Sequence, residues 1–218
     1  MTGSINKKDK LKFFQEYLDE IFPDVDCELN FSNNLELLIA VLLSAQCKDE
    51  YVNRATPELF NRFKTIDDYA DADVAEIENY IKTLGLYKAK SKNIKNMAIM
   101  LREDFNYSIP NDLENLIKLP GVGRKTANVV MSVGFNIPAI AVDTHVERVS
   151  KRLKFARKSD SPLQVEYKLM KLFPKDKWSK LHHQLIHFGR YKCKAKKPEC
   201  SSCELYKICS YKINRRKE

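Results

Sequence analysis

No apolar run in this sequence is long enough to cross a bilayer. The longest strongly apolar stretch, Leu35 to Ala45, contains Glu36 and falls short of the roughly 20 residues that a spanning helix needs. The N-terminus, Met1-Thr2-Gly3-Ser4-Ile5-Asn6-Lys7-Lys8, has no apolar signal core, so nothing there points to secretion. Low-complexity tracts, clear internal repeats and Gly/Ser linkers are absent, and no segment reads as a convincing strand. A membrane protein, a repeat protein and a β-fold are thereby disfavoured. The chain is expected in a reducing cytoplasm, where cysteines serve metals rather than disulfides.

What is present is a basic, helical chain. Its 218 residues suit one large domain or two small ones, with ordinary apolar content. Net charge is +9, from 38 basic against 29 acidic residues. That favours a polyanionic partner, although a solvated surface explains the charge equally well by itself. Position adds weight: Arg190, Lys192, Lys194, Lys196 and Lys197 crowd one short stretch, and Arg215, Arg216 and Lys217 close the chain.

That basic stretch opens a loop of four cysteines, Cys193, Cys200, Cys203 and Cys209, spaced C-x6-C-x2-C-x5-C. Thiolates this dense share a metal centre, because soft anionic ligands need a cation between them. Structural zinc sites use two close pairs set apart by a longer stretch. Here one close pair is flanked by single cysteines in one continuous loop, which suits a [4Fe-4S] cube better; zinc and disulfides are the alternatives. Cys27 and Cys47 lie far away in apolar surroundings and read as small buried hydrophobes.

Helical periodicity runs almost throughout. Leu11, Phe14, Leu18, Ile21 and Phe22 form one amphipathic face that stops before Pro23. Leu35 to Gln46 is apolar nearly all round and predicts a buried central helix. Val74 to Leu84 predicts a helix with Gly85 as its C-cap. Lys88 to Phe105 follows, then a short helix capped by Asn111 or Asp112 and running through Leu119. Further helices are expected over Arg124–Val133, Thr144–Leu153, Pro162–Leu172 and Lys177–Gly189.

Leu119-Pro120-Gly121-Val122-Gly123-Arg124-Lys125 joins two of these helices. Pro120 ends the first, and Gly121 and Gly123 allow a tight turn with positive φ. The unpaired N–H groups that open the next helix form an anion site, fit for a DNA phosphate. The plain alternative is a tight connection whose glycines serve geometry alone. Lys125 sits in the first helical turn beside Arg124, where the dipole is already positive. Both neighbours favour its neutral amine, the form that attacks carbon to make a Schiff base. On position alone, an ordinary phosphate-binding or solvated lysine is the simpler reading.

Thr144-x-x-Glu147 matches a capping box, which places Asp143 at a helix mouth. A carboxylate there is fit to stabilise a developing cation or orient water, though a plain capping role satisfies the motif. His183 and His187 share one helix face but lack the glutamate of H-E-x-x-H, so packing or hydrogen bonding accounts for them.

Taken in order, these features resemble the endonuclease III family, bacterial DNA glycosylases with lyase activity in the helix-hairpin-helix superfamily. The resemblance covers nearly the whole chain. It rests on the hairpin with Lys125, on Leu43-Ser44-Ala45-Gln46, Gly85-Leu86-Tyr87 and Val142-Asp143-Thr144-His145-Val146, and on His182-His183. Gly189-Arg190-Tyr191-Lys192-Cys193 and the cysteine quartet complete it.

The resemblance implies an all-α, two-lobed helix-hairpin-helix DNA glycosylase fold with a [4Fe-4S] cluster loop. Residues 27–137 form a six-helix lobe ending in the hairpin; residues 1–26 with 138–218 form the cluster lobe, and Lys125 and Asp143 face each other across the cleft. The partner is duplex DNA containing damaged bases or abasic sites, bound by a monomer in the cytoplasm, on the nucleoid. A damaged base must leave the stack to be reached. By resemblance Gln46 fills the gap and Leu86 wedges into the opposite strand. Lys125 attacks the sugar C1′, Asp143 stabilises positive charge on the sugar, and β-elimination cuts the strand. Gly121, Val122, Gly123 and Arg124 hold a phosphate, while Lys194, Lys196 and Lys197 offer charge to the backbone. The expected activity is removal of oxidised pyrimidines with AP lyase cleavage.

One departure stands out. After Gln46 the family has a small residue or threonine and then Thr-Asp, whereas this chain has Cys47-Lys48-Asp49. Rival readings are a monofunctional adenine or thymine mismatch glycosylase, a non-catalytic DNA-binding module and a ferredoxin-like carrier. Lys125 argues against the mismatch enzymes, and the chain's end at Glu218 against the adenine enzymes, which carry a further C-terminal domain. The module would bind duplex DNA without cutting it. The carrier needs neither the basic hairpin nor Lys125.

Overall fold

The computed structural model describes residues 6–211, and among them every regular element is helical. The chain divides into two compact units, Cys27–Ala139 and Met1–Asp26 with Ile140–Glu218. No helix among the described residues is long and apolar enough to cross a membrane.

In the Cys27–Ala139 unit the core is built on α2 (Asn34–Leu43), whose residues from Leu37 to Leu43 are all buried. A helix apolar on every side has no solvent face to spare, so its neighbours surround it. It touches α3 (Asp49–Arg62), α6 (Tyr87–Glu103) and α8 (Arg124–Val129). Each fully buried leucine there contributes about 2 kcal/mol of burial. Asn33 opens α2 by accepting a hydrogen bond from Glu36 N.

The helix expected to run through Gln46 ends instead at Leu43. Ala45 N and Cys47 N turn back to Leu42 O and Ser44 O, and the Ser44 hydroxyl donates to Val41 O at 2.9 Å. These tighter bonds close the helix and leave Gln46 in the left-handed region, at φ 55°.

Two helices carry no sequence assignment, α3 and α4 (Ile66–Asp71). Only Val52, Thr56 and Leu59 of α3 are buried, and Pro57 lies inside it, so its apolar stripe is thin. The short α4 is opened by a capping box between Thr65 and Asp68, a T-x-x-D signal that the sequence does hold.

Helix α5 (Val74–Ile81) ends before Gly85, and Gly85 is not its left-handed cap. The left-handed residue is Leu86, at φ 61°, immediately before α6. Asp112 caps α7 (Leu113–Leu116), which is shorter than the expected run to Leu119. Helix α8 likewise stops at Val129 and widens into a π-helical turn over Val130–Gly134. A Cβ on Gly134 would lie 2.8 Å from Asn34 Oδ1, so this turn presses closely on α2.

The other unit gathers α1 (Lys7–Ile21), α9 (Thr144–Arg152), α10 (Pro162–Leu172) and α11 (Trp178–His187). Phe14 and Leu18 of α1 pack with Val146, Val149, Leu169 and Leu185 in one apolar cluster. The Phe14 ring meets Phe155 edge-on, with centroids 4.8 Å apart. The N-terminal helix thus shares a core with the C-terminal half of the chain. Helix α11 stops at His187 and widens into a π-helical turn, Phe188–Lys192, short of the regular helix expected to Gly189. His183 is buried with its ring 4.0 Å from that of His182, and His187 packs on Phe22 and Tyr191.

Candidate functional site

The hairpin between α7 and α8 depends on one of its two glycines far more than on the other. Gly121 has φ +79°, and a Cβ there would lie 2.8–3.0 Å from the Asn93 side chain. Both the backbone and the space therefore demand glycine. Gly123 is extended, at φ −89°. No atom stands within 4 Å of a Cβ built on it. The positive φ that the two glycines allow in this turn is taken by Gly121 alone. Val122 is buried and pins the turn, while Gly121 and Gly123 are exposed.

Gly123 is the N-cap of α8 and makes no side-chain cap. The first N–H groups of the helix thus open beside a backbone free of side-chain bulk, which lets an anion approach closely. Arg124 is half-buried and Lys125 exposed in that first turn. Gly121→Ala is expected to cost about 1–3 kcal/mol of stability through strain at positive φ. Gly123→Ala is expected to leave the melting temperature unchanged while weakening duplex binding, damaged or not. Paired melting and binding curves check this, and a Gly123→Ala protein that binds as well as the parent contradicts the backbone role.

Gln46 and Leu86 come together in the same unit. Gln46 is exposed and left-handed; Leu86 is 57% exposed and left-handed. A Cβ on Gly85 would stand 4.0 Å from Gln46 O, so the two loops run side by side. Left-handed backbone is costly for residues with a Cβ and persists where surrounding structure enforces it, often at functional sites. Lys48, which departs from the family pattern, is exposed and lies 6.0 Å from the Tyr51 ring centroid. Cys47 and Cys27 are half-buried, not the buried hydrophobes expected.

Asp143 lies in the other unit. The expected Thr144 capping box is not formed. Asp143 itself is the N-cap, and its Oδ1 accepts from His145 N and Val146 N at 2.8 Å each. Glu147 pairs with Lys151 instead of reaching back. An aspartate accepts helix-opening N–H groups better than threonine when both are available, and it orients the carboxylate in doing so.

At its other end α9 holds the cysteine loop. Arg148 Nη2 donates to Gly189 O at 2.8 Å and to Cys193 O at 3.2 Å. Arg152 Nη1 donates to Lys194 O at 2.8 Å and to Cys193 Sγ at 3.2 Å, and its Nη2 reaches Ala195 O at 3.2 Å. This arginine pair was not singled out from the sequence. Its only signal there is the four-residue spacing on one helix face.

Cys193, Cys200, Cys203 and Cys209 all line one pocket, beside Arg152 and Tyr211. Burial pushes the Cys203 thiol up to about 11 and raises Cys209 too, with the other cysteines adding to both. A cation among the four sulfurs would offset that cost for Cys203 and Cys209. No group of three or more His, Cys, Asp or Glu side chains among the described residues is arranged to hold a single metal ion.

Lys194, Lys196 and Lys197 are all exposed. Lys194 and Lys192 reach Glu199 at 2.9 and 3.4 Å and hold its carboxyl below the usual range. Arg215, Arg216 and Lys217 lie outside the described residues.

Residues 39–175 match the HhH-GPD superfamily of base excision DNA repair proteins. The endonuclease III of Bacillus subtilis (strain 168) is 52% identical over 200 residues, covering 92% of this chain and 91% of that protein. The endonuclease III of Escherichia coli (strain K12) is 46% identical over 208 residues, covering 95% and 98%. Among solved structures, a trapped covalent intermediate of endonuclease III with DNA, an estranged-adenine complex, superposes with a TM-score of 0.91 at 51% identity. It covers 95% of this chain and 97% of that one. A thermostable thymine-DNA glycosylase shares the fold, with a TM-score of 0.82 at 24% identity over 94% of this chain and 97% of that one.

Proposed function

The chain belongs to the endonuclease III family of the helix-hairpin-helix base excision repair superfamily, and from that premise we propose how its own residues carry out the repair reaction. The protein is a DNA glycosylase with AP lyase activity. Its substrate is duplex DNA, with oxidised pyrimidines as the bases removed and Lys125 as the covalent nucleophile. The observation that carries this assignment is an exposed lysine in the first turn of α8, next to a hairpin with open backbone at Gly123.

The Cys27–Ala139 unit acts as the helix-hairpin-helix lobe and the other unit as the cluster lobe. The Gly121–Arg124 backbone fixes register by holding a phosphate, which carries no sequence information. Gln46 and Leu86 present exposed side chains from rigid, left-handed backbone, suited to replacing an extruded nucleotide and parting its neighbours. A damaged pyrimidine stacks and pairs poorly, which lowers the cost of extrusion and contributes selectivity.

The Lys125 amine attacks C1′ of the extruded sugar as the N-glycosidic bond breaks, and the base leaves with the bonding pair. Ring opening gives an iminium between Lys125 and C1′. The iminium acidifies the C2′ hydrogen; loss of that proton expels the 3′ phosphate by β-elimination and cuts the strand. Water then hydrolyses the imine and frees the lysine. The Asp143 carboxylate, held by two backbone N–H groups, offsets positive charge on the sugar. The test is incubation with a duplex bearing one oxidised pyrimidine, with borohydride present. A cut strand and a trapped adduct are expected; binding without cleavage would leave only a DNA-binding module.

Cys193, Cys200, Cys203 and Cys209 fit a [4Fe-4S] cluster: four soft donors line one pocket, and Arg152 donates to the Cys193 sulfur. Bound there, a cluster would neutralise the four thiolates and brace the loop on which Lys194, Lys196 and Lys197 stand exposed. Anaerobically purified protein is expected to be yellow-brown with about four irons per chain. Replacing Cys200 or Cys203 by serine is expected to remove the iron and open this loop to protease first, because metal–thiolate bonds stand in for a core there. Stoichiometric zinc without iron contradicts the assignment.

A further inference from the structure

Lys90 is buried, only 4% exposed, in the first turns of α6. Its Nζ donates to Leu43 O at 2.8 Å, the carbonyl of the last residue of α2. Its backbone N–H makes the ordinary first helical bond of α6, to Leu86 O at 3.0 Å. The side chain of Lys90 thus fastens the carbonyl end of α2, three residues before Gln46, to the first turn of α6, which opens directly after Leu86.

The placement is costly and calls for a reason. Burial lowers the lysine's affinity for its proton, and a buried ammonium is expensive unless well paired. The negative end of α2 supplies part of the compensation. A neutral donor or an apolar side chain would fill the same space at lower cost. What a lysine adds is reach: a long stem with a donor at its tip fixes the distance between the end of α2 and the start of α6. The loops it joins hold Gln46 and Leu86 at φ 55° and φ 61°, conformations that need enforcement.

We propose that Lys90 is the positioning residue that sets the spacing of Gln46 and Leu86, so that both side chains enter one opened base pair together. The inference rests on the reading of those two residues as the groups that insert into the duplex. Lys90 touches neither substrate nor reacting atoms; it acts through the two loops.

The experiment compares a substrate that must be opened with one that need not be. The first measurement uses a duplex with a tetrahydrofuran abasic analogue opposite 2-aminopurine, whose fluorescence rises when the opposite base is unstacked. The second is kcat/KM on a duplex with one oxidised pyrimidine. The third is the β-elimination rate on an abasic site in single-stranded DNA, which has no pair to open.

Lys90→Met is expected to suppress the fluorescence rise and to lower the duplex kcat/KM by about tenfold or more, as small misplacements of positioning groups do. The single-strand rate is expected to stay within about twofold of the parent, since the hairpin chemistry is untouched. Equal losses on duplex and single strand make Lys90 a structural residue only and overturn the proposal, as does no loss on either. Should Lys90→Met fail to fold, Lys90→Arg, which keeps a cationic donor but displaces it, carries the same comparison. Gln46→Ala and Leu86→Ala separate the two levels. If neither reduces the fluorescence rise, the reading of the loops fails and this inference with it. If both reduce it and Lys90→Met does not, the loops stand and the Lys90 inference alone fails.

Discussion

Lys125→Gln is expected to bind duplex DNA as the parent does and to lose strand cleavage and borohydride trapping. The binding should survive because, in the function proposed, phosphate is held by backbone groups at Gly121 and Gly123, whose conformation the substitution leaves in place. Cleavage should fall by on the order of 10⁴-fold or more, the scale seen when an enzyme loses its nucleophile. An amide is isosteric enough to keep the α8 turn yet forms no iminium, so the loss is chemical and not conformational. Lys125 is exposed, which makes a stability effect small. Gel-shift affinity, melting temperature and single-turnover cleavage, measured on one preparation, separate these contributions.

Asp143→Asn is expected to slow base release by about 10²- to 10³-fold, comparable to removing one preorganised group that stabilises transition-state charge. The structure makes this substitution clean. Asparagine caps helices as well as aspartate does, and its carboxamide oxygen can accept from His145 N and Val146 N as Oδ1 does now. The melting temperature should therefore hold, whereas Asp143→Ala should lose about 1 kcal/mol with the cap. Combined with Lys125→Gln, the effects should not add if, as proposed, both residues serve one transition state. Full additivity in the double variant, or an Asp143→Asn protein with unaltered base release, contradicts the role assigned to the carboxylate.

The parts legible in the sequence are those where chemistry fixes residue type and spacing together. The cysteine quartet is one, since four thiols so close in the chain had to share one pocket, and they do. The central helix is another, because a run apolar on every side can only be core. Less legible were features set by packing. Nothing in glutamine or leucine announces left-handed backbone, and Gly85 beside Leu86 was the natural candidate for it; the strain falls on Leu86 because tertiary contacts outweigh local preference. The two hairpin glycines look alike in sequence, yet only Gly121 combines a positive φ with the Asn93 side chain pressed against it. Helix α3 hid behind Pro57 and a thin apolar stripe. Arg148 and Arg152 drew no reading from the sequence, because their role depends on loop carbonyls around Cys193 that converge on them only in the fold. Nothing in the sequence distinguishes Lys90 from the lysines around it; its burial and its bond to Leu43 O do.

The central claim, that Lys125 forms the covalent bond to the sugar, is tested most directly by trapping the adduct on an oxidised-pyrimidine duplex with borohydride, digesting the protein and measuring the mass of the modified peptide. The expected result is a DNA-derived mass on the peptide containing Lys125, and no adduct from the Lys125→Gln protein. An adduct on another lysine or on the N-terminal amine, or persistent trapping by Lys125→Gln, contradicts it.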